Sequence, residues 1–341
     1  MFCARMLLLP KESVPIVSID NFSRVGTETT RRRGDSEAAS APNAHLYTFF
    51  FNLVHEPFYF PLIGFINIAV GNHQIFQTGF VNRNTANFSG FQAGFVNTIG
   101  GNFSGFQSGY INTVGGDFSG FQAGFINTNV GETKGIQAGF VNTSIKEAKG
   151  PQFGFINIAV RNIEGIQLGF INYADSIEGI PVGFISIVSK GGYQAIEYSF
   201  SELYTYNAAF KIGIEKFYTN IIFAYNQKDE FSLDNFASGI GFGSIFPVIR
   251  KFLYINPELN SLSSFTSEDN VISNSFILYA GINLGKLSVA AGPSLTWIYS
   301  TGWPNRIPLR NDLQIFKLHS YDADEYNRFL IGARAAARLR F

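Results

Sequence analysis

A Gly-aromatic pair returns every fifteen residues along the first half of the chain, and this period constrains the fold more than any other feature. It occurs at Gly64-Phe65, Gly79-Phe80, Gly94-Phe95, Gly109-Tyr110, Gly124-Phe125, Gly139-Phe140, Gly154-Phe155 and Gly169-Phe170, then after fourteen residues at Gly183-Phe184. The surrounding unit reads GFQxGFxN, with Gln77 through Gln167 ahead of the pair, Asn67 through Asn172 behind it, and Ser186 in place of the last Asn. One unit is defined by Gln92, Gly94, Phe95 and Asn97, the next by Gln107, Gly109, Tyr110 and Asn112. Self-similarity at a fixed short period marks an architecture in which each unit stacks on its neighbours.

Period-two patterning makes each unit a strand plus a turn. On an extended chain Phe91, Ala93, Phe95 and Asn97 share one face and Gly90, Gln92, Gly94 and Val96 the other. Ile99-Gly100-Gly101-Asn102 and Val114-Gly115-Gly116-Asp117 supply turns, because glycine accepts positive φ. Two architectures stack such units. An antiparallel meander of eleven-residue strands and four-residue turns returns each repeat position to the same face. Its strands, at about 3.3 Å per residue and tilted by about 45°, rise roughly 25 Å, the height of an outer-membrane apolar band. A parallel solenoid instead places every Gln, Asn and Phe on its own copy, which Asn ladders and aromatic stacks reward. The near-invariant Asn and the short apolar stripe favour the solenoid, while the strand length favours the meander, which is the leading expectation.

Composition agrees with a membrane β protein. Among 341 residues there are 37 Phe and 35 Gly, and charged residues make up 15%, against about 25% in a typical soluble domain. Lys+Arg and Asp+Glu balance at 25 each, which removes the electrostatic case for a nucleic-acid partner. A single cysteine, Cys3, makes neither a disulfide framework nor a zinc cluster. The longest apolar stretch, Phe58 to Val70, is interrupted by Pro61 and Asn67, well short of the roughly 18 apolar residues of a membrane helix. A membrane-spanning form of this chain is therefore a closed β-barrel, the other structure that satisfies every backbone group in lipid.

Three segments follow. Residues 1–43 read as a polar disordered segment, or one behind a misassigned start codon that replaces the true export signal: Met6 to Leu9 is too short for a signal-peptide core, and Arg31-Arg32-Arg33 precedes the cleavage-like Ala39-Ser40-Ala41. Residues 44–191 hold the repeat, and 192–341 read as outer-membrane barrel strands.

In the last segment Phe329, Ile331, Ala333, Ala335, Ala337, Leu339 and Phe341 share one face of a strand, opposite Gly332, Arg334, Ala336, Arg338 and Arg340. This is apolar toward lipid and charged toward a wet lumen, so an arginine at Ala335 is expected to impair assembly and one at Ala336 to be tolerated. The segments around Leu287–Trp297 and Ser275–Leu284 repeat the alternation, with Trp297 and Tyr299 at a strand end as an aromatic girdle. Long connections, Asn226–Asp234, Leu262–Asn274 and Ser300–Arg328, alternate with short turns near Glu215, Pro247–Arg250 and Gly285-Lys286. The long ones are expected outside the cell and the short ones in the periplasm. About eight strands fit, enough for a small barrel. The Ser189–Gly192 turn joins them to the repeat as a hairpin would. The fold class is thus all-β: an antiparallel transmembrane β-barrel of outer-membrane type containing the repeat, or alternatively a β-solenoid followed by a barrel of about eight strands.

Tandem GFQxGFxN units leading into Gly179-Ile180-Pro181-Val182-Gly183-Phe184-Ile185-Ser186 and a barrel-like half resemble the spirochaete-type surface-repeat family, with similar units in bacteroidete outer-membrane proteins. The resemblance covers about residues 60 to 300. It implies a surface-exposed outer-membrane location with outer-membrane lipid as partner, and no established activity. Phe341 resembles the terminal aromatic read by the barrel-assembly machinery.

Chemistry-bearing constellations are scarce. His45, His55, His73 and His319 lack metal-ligand spacing, and no GxSxG elbow or P-loop is present. Gly239–Gly243 reads as strand packing. The loop with His319, Tyr321, Asp322, Asp324 and Glu325 is the one acidic cluster near an imidazole, and it reads as a solvated surface. The expectation is a non-enzymatic surface protein without cofactor or metal, whose loops meet an unidentified extracellular ligand. The alternative is an anion-favouring channel with Arg334, Arg338 and Arg340 as lumen charges, and a barrel-rim hydrolase is remote.

Overall fold

The computed structural model describes residues 45–56, 60–226, 235–249, 252–264, 271–301, 317–323 and 326–341. The segment 1–43, read from sequence as disordered, lies outside them. The described residues form two sheets, one of fifteen mostly parallel strands over Leu46–Val188 and one of ten antiparallel strands over Tyr193–Arg340.

The repeat is a parallel solenoid. Its full-length strands are β1 (His73–Asn84), β2 (Phe88–Ile99), β3 (Phe103–Val114), β4 (Phe118–Asn129), β5 (Thr133–Ser144) and β6 (Gln152–Glu164). Each pairs in parallel with the next, so that Gln77, Gln92, Gln107 and Gln122 lie side by side. This overturns the antiparallel meander, and with it the single barrel containing the repeat; the solenoid-plus-barrel alternative fits. Parallel register wins because it gives each buried amide an identical partner above and below, and buried polar groups must be hydrogen-bonded.

Asn97 Nδ2 donates to Asn112 Oδ1 at 2.8 Å and to the Ser108 carbonyl at 2.7 Å. The Asn ladder runs in this sense from Asn52 to Asn172, which ends it on Ser186 Oγ at 3.2 Å. The Gln ladder runs the other way: Gln107 Nε2 donates to Gln92 Oε1 at 2.7 Å, and each later Gln to the one before it, up to Gln167.

Gln92 and Asn97 both point inward, which corrects their assignment to opposite faces. Alternation resets at a corner. The ladder passes from Gly79↔Gly94 to Val81↔Val96 without pairing Phe80 to Phe95, and Phe95 turns outward with 45% of its surface exposed. A second corner falls at Gly90, whose φ of 136° favours glycine. Gly94 is required by proximity instead: a Cβ there lies 2.1 Å from the Gly79 carbonyl oxygen and 2.5 Å from Asn82 Nδ2. Besides the amides, the interior holds Phe88, Phe103, Phe118, Ile99 and Val114, worth roughly 1.5–3 kcal/mol for each large side chain removed from water. The short strand Leu46–Tyr47 folds back antiparallel on Phe51–His55 and covers the N-terminal edge.

The second sheet closes on itself. Its strands are β7 (Tyr193–Phe200), β8 (Tyr206–Ile214), β9 (Phe217–Tyr225), β10 (Phe236–Gly243), β11 (Leu253–Ser264), β12 (Val271–Leu284), β13 (Leu287–Ser300) and β14 (Asn327–Arg340). Each pairs with its neighbour and β14 pairs back to β7, giving an eight-stranded barrel. Phe246–Ile249 and Lys317–Asp322 add short edges to β11 and β14. The expected long connections are shorter than read: Leu262–Ser264 and Val271–Asn274 belong to β11 and β12, and His319 and Tyr321 lie in a strand paired to β14. The rest of those connections lies outside the described residues.

The Ser189–Gly192 link therefore joins two separate sheets and is not a hairpin of one. The last solenoid strands, Ile180–Val182 and Ile185–Val188, pack against β8 and β9. Thr219 Oγ1 donates to the Gly183 carbonyl at 2.5 Å. Thr219 and its cross-strand partner Ile212 alternate with inward Asn220 and Lys211, so they face out from the barrel wall, yet both are buried. The solenoid covers them.

Candidate functional site

The barrel interior is the densest assembly of charge in the described chain. Strand alternation brings Glu197 (β7), Lys211 (β8), Glu258 (β11) and Arg338 (β14) to one level, each at most 3% exposed. Lys211 Nζ lies 2.6 Å from Glu258 Oε1 and 3.1 Å from Glu197 Oε2. Arg338 Nε donates to Glu197 Oε2, and its Nη2 lies 3.1 Å from Glu258 Oε1. Glu258 also accepts from the Tyr218 hydroxyl at 2.6 Å and from Asn220 Nδ2 at 3.2 Å. The Arg338 guanidinium sits 5.0 Å from the Tyr279 ring centre, within cation–π range.

Above this level Arg334 pairs with Glu202 at 3.4 Å and donates to Ser275 Oγ at 2.7 Å, while Thr296 Oγ1 donates to Glu202 at 2.6 Å. The connection between β7 and β8 dips into the barrel here. Its Leu203 and Tyr204 pack with Ala209, Ile222, Leu262, Ile298 and Leu330 as an apolar layer. A cavity of about 10 Å³ beside the cluster has room for about one water.

The structure thus places Arg334 and Arg338 inside the barrel, as the alternation implied, but pairs both with glutamates. Arg340, at the short-turn end, pairs with Glu215 at 2.8 Å. Three arginines read as free lumen charges are neutralised. Phe341 is exposed beyond the end of β14. His319 and Tyr321 share a strand, Asp324 and Glu325 lie outside the described residues, and His73 stacks on Phe88 at 5.6 Å as the first ring of an interior column.

Sequence reasoning missed Glu197, Lys211 and Glu258. The signal was a lone charge at an inward phase of an otherwise apolar strand, as in Ala208-Ala209-Phe210-Lys211-Ile212. Charges of opposite sign on strands far apart in sequence meet only once the barrel closes.

The second assembly is an aromatic ladder on the solenoid's outside. Phe50, Phe65, Phe80, Phe95, Tyr110, Phe125, Phe140, Phe155, Phe170 and Phe184 stack with successive ring centres 4.8–5.3 Å apart and planes within 9°. From Phe65 to Phe170 each ring is 40–47% exposed. A parallel column, Phe76, Phe91, Phe106 and Phe121, stacks at 5.2–5.3 Å.

No family model, curated protein or solved structure matches this chain.

Proposed function

We propose that the chain is a non-enzymatic outer-membrane protein, anchored by its barrel and acting in a structural or interaction role at the cell surface. The observation that carries this reading is that the barrel is inside-out relative to a soluble protein. Lys211, Glu258 and Arg338 are buried within it, while Phe223, Leu259, Phe276, Leu295, Ile331 and Leu339 stand 45–60% exposed on the outside. In water, such a barrel would expose its apolar side and bury its charge, against the usual distribution; in lipid the arrangement is favourable. The fourteen-residue strands β12, β13 and β14, tilted by about 45°, span roughly 33 Å, enough for an apolar band of about 25 Å. Trp297 and Tyr299 face out at the end of β13, where a girdle belongs. The resemblance to surface-repeat proteins points the same way.

Heat-modifiable gel migration and β-type circular dichroism in detergent are the expected behaviour. A folded monomer soluble without detergent overturns the reading. The channel alternative requires unpaired lumen charge, and each arginine it relied on is ion-paired.

A further inference from the structure

We propose that the aromatic face of the solenoid lies on the surface of the same bilayer that holds the barrel, as a β counterpart of an interfacial amphipathic helix. This rests on the reading of the barrel as membrane-embedded.

The first support is the distribution of charge around the stack. Following the fifteen-residue register, the outward columns of Phe91, Ala93, Phe95 and Val96 contain no Asp, Glu, Lys or Arg from residue 61 to residue 185. Six of the twelve charged residues between 60 and 190, Asp117, Glu132, Lys134, Glu147, Lys149 and Glu164, instead occupy the columns of Ser89 and Asn102, while Arg83 stands in the column of Thr98. Among the six, Lys134 pairs with Glu132 and Lys149 with Glu164, at 3.5 and 3.3 Å, on exposed side chains. A rod that is apolar along two columns of rings and charged on another side has the division of an element at a lipid–water boundary.

The second support is how the rod meets the barrel. In a parallel stack the backbone carbonyls point along the stacking axis toward the neighbouring rung, and that of Gly183, in the last rung, is taken by Thr219 on the outer wall. The stack therefore leaves the wall sideways. Thr219 lies two residues from the start of β9, beside the short turn at Glu215, so the attachment is at the rim of the apolar wall. The link to the barrel leaves through Lys190, which pairs with Asp175 at 2.7 Å, and reaches Tyr193 at that same end. Both attachments, Gly183 on Thr219 and the link into Tyr193, thus lie at the rim of the apolar wall. Ten rings at the spacing of paired strands extend roughly 43 Å from the barrel. Residues 60–190 carry six basic and six acidic side chains, so apolar insertion rather than attraction to anionic lipid supplies the binding.

The test uses the full chain refolded into phosphatidylcholine vesicles, with heat-modifiable migration as the check on folding. Trp297 alone, in a Trp303→Phe chain, reports on the barrel. Phe125→Trp or Ser119→Trp, each in a Trp297→Phe, Trp303→Phe chain, reports on the aromatic and charged columns of one rung. Lipids brominated near the headgroup end of the chain are expected to quench the Phe125→Trp reporter about twofold and leave the Ser119→Trp reporter unchanged, at low and high salt alike. An unquenched Phe125→Trp reporter beside a quenched Trp297 overturns the proposal and leaves the barrel reading intact; protection of that reporter from aqueous quenchers would then identify a second copy as the occupant. Equal quenching of both rung reporters also overturns it. If Trp297 itself is unquenched, the membrane-embedded barrel fails and the proposal falls with it.

Discussion

Asn97 and Asn112, fifteen residues apart, are joined by a 2.8 Å side-chain hydrogen bond inside the solenoid. That contact exists only because the strands are parallel and in register. Each Asn in the column also donates to a backbone carbonyl of the following rung, Asn112 to that of Ala123 at 2.8 Å. Asn112→Leu removes both donations and orphans the acceptor of its neighbour. It is expected to lower solenoid stability by about 3 kcal/mol, read as lost hydrogen-exchange protection centred on β2–β4 and spreading less to β6. Uniform loss across the barrel would contradict the local account.

At the far end of the other ladder, Gln167 Oε1 is buried without a partner, because its neighbour across the last rung is Pro181. Gln donors in this column point toward the N-terminal end. A Pro181→Gln variant places a donor on that oxygen and is expected to raise stability by about 1 kcal/mol. An unchanged or lower unfolding midpoint would show that the ring of Pro181 matters more than the missing bond.

Gly94 and Ala93 are adjacent but have opposite tolerance. A Cβ on Gly94 meets the Gly79 carbonyl at 2.1 Å, so Gly94→Ala forces two rungs apart and is expected to cost several times the roughly 1 kcal/mol of Ala93→Gly. Equilibrium unfolding of the two variants side by side checks this.

Ala335 and Ala336 separate the two sides of the barrel wall. Ala335→Arg puts a charge among outward apolar residues and, with the barrel in a bilayer as proposed, is expected to cost about 2–4 kcal/mol, with a matching loss of heat-modifiable folded protein. The expectation that Ala336→Arg is tolerated does not survive the structure: Ala336 is 7% exposed and packs with Tyr193, Tyr218, Tyr254 and Tyr279. There is no open water for a guanidinium to enter, and this variant is expected to fail as well. Ala336→Ser is the inward change that should assemble.

Lys211 holds two glutamates. Lys211→Met leaves Glu197 and Glu258 to Arg338 alone and is expected to destabilise the barrel by about 3–5 kcal/mol, whereas adding Glu258→Gln recovers part of the loss. Urea unfolding followed by gel migration in lipid measures both. In planar bilayers the wild-type chain is expected to be silent; stable anion-selective steps would restore the channel reading.

Much of this architecture was legible from residue patterns. The inward and outward faces of β12, β13 and β14 follow from alternation in the 275–341 segment, and the count of eight strands matches. The repeat was visible, but its pairing direction was not: a period of fifteen suits a meander or a solenoid, and strand length pointed to the former. The deciding quantity was the hydrogen-bond requirement of buried Asn and Gln, which an antiparallel sheet leaves without matching partners. The corner at Phe95 was hidden for a related reason, since a five-residue side looks like continuous alternation until the chain bends. The Lys211–Glu258 cluster is set by closure between strands 47 residues apart, and no local pattern encodes that.

Because the Asn amides point toward one end of the stack and the Gln amides toward the other, the two ladders' dipoles oppose. Inserting another unit then adds no net side-chain dipole along the axis, and each interior rung sees the same neighbours whatever the total. The rod is therefore a length-adjustable spacer: in-frame duplication or deletion of one fifteen-residue unit should alter its reach by a single strand spacing, with the barrel and the terminal hairpin left as they are.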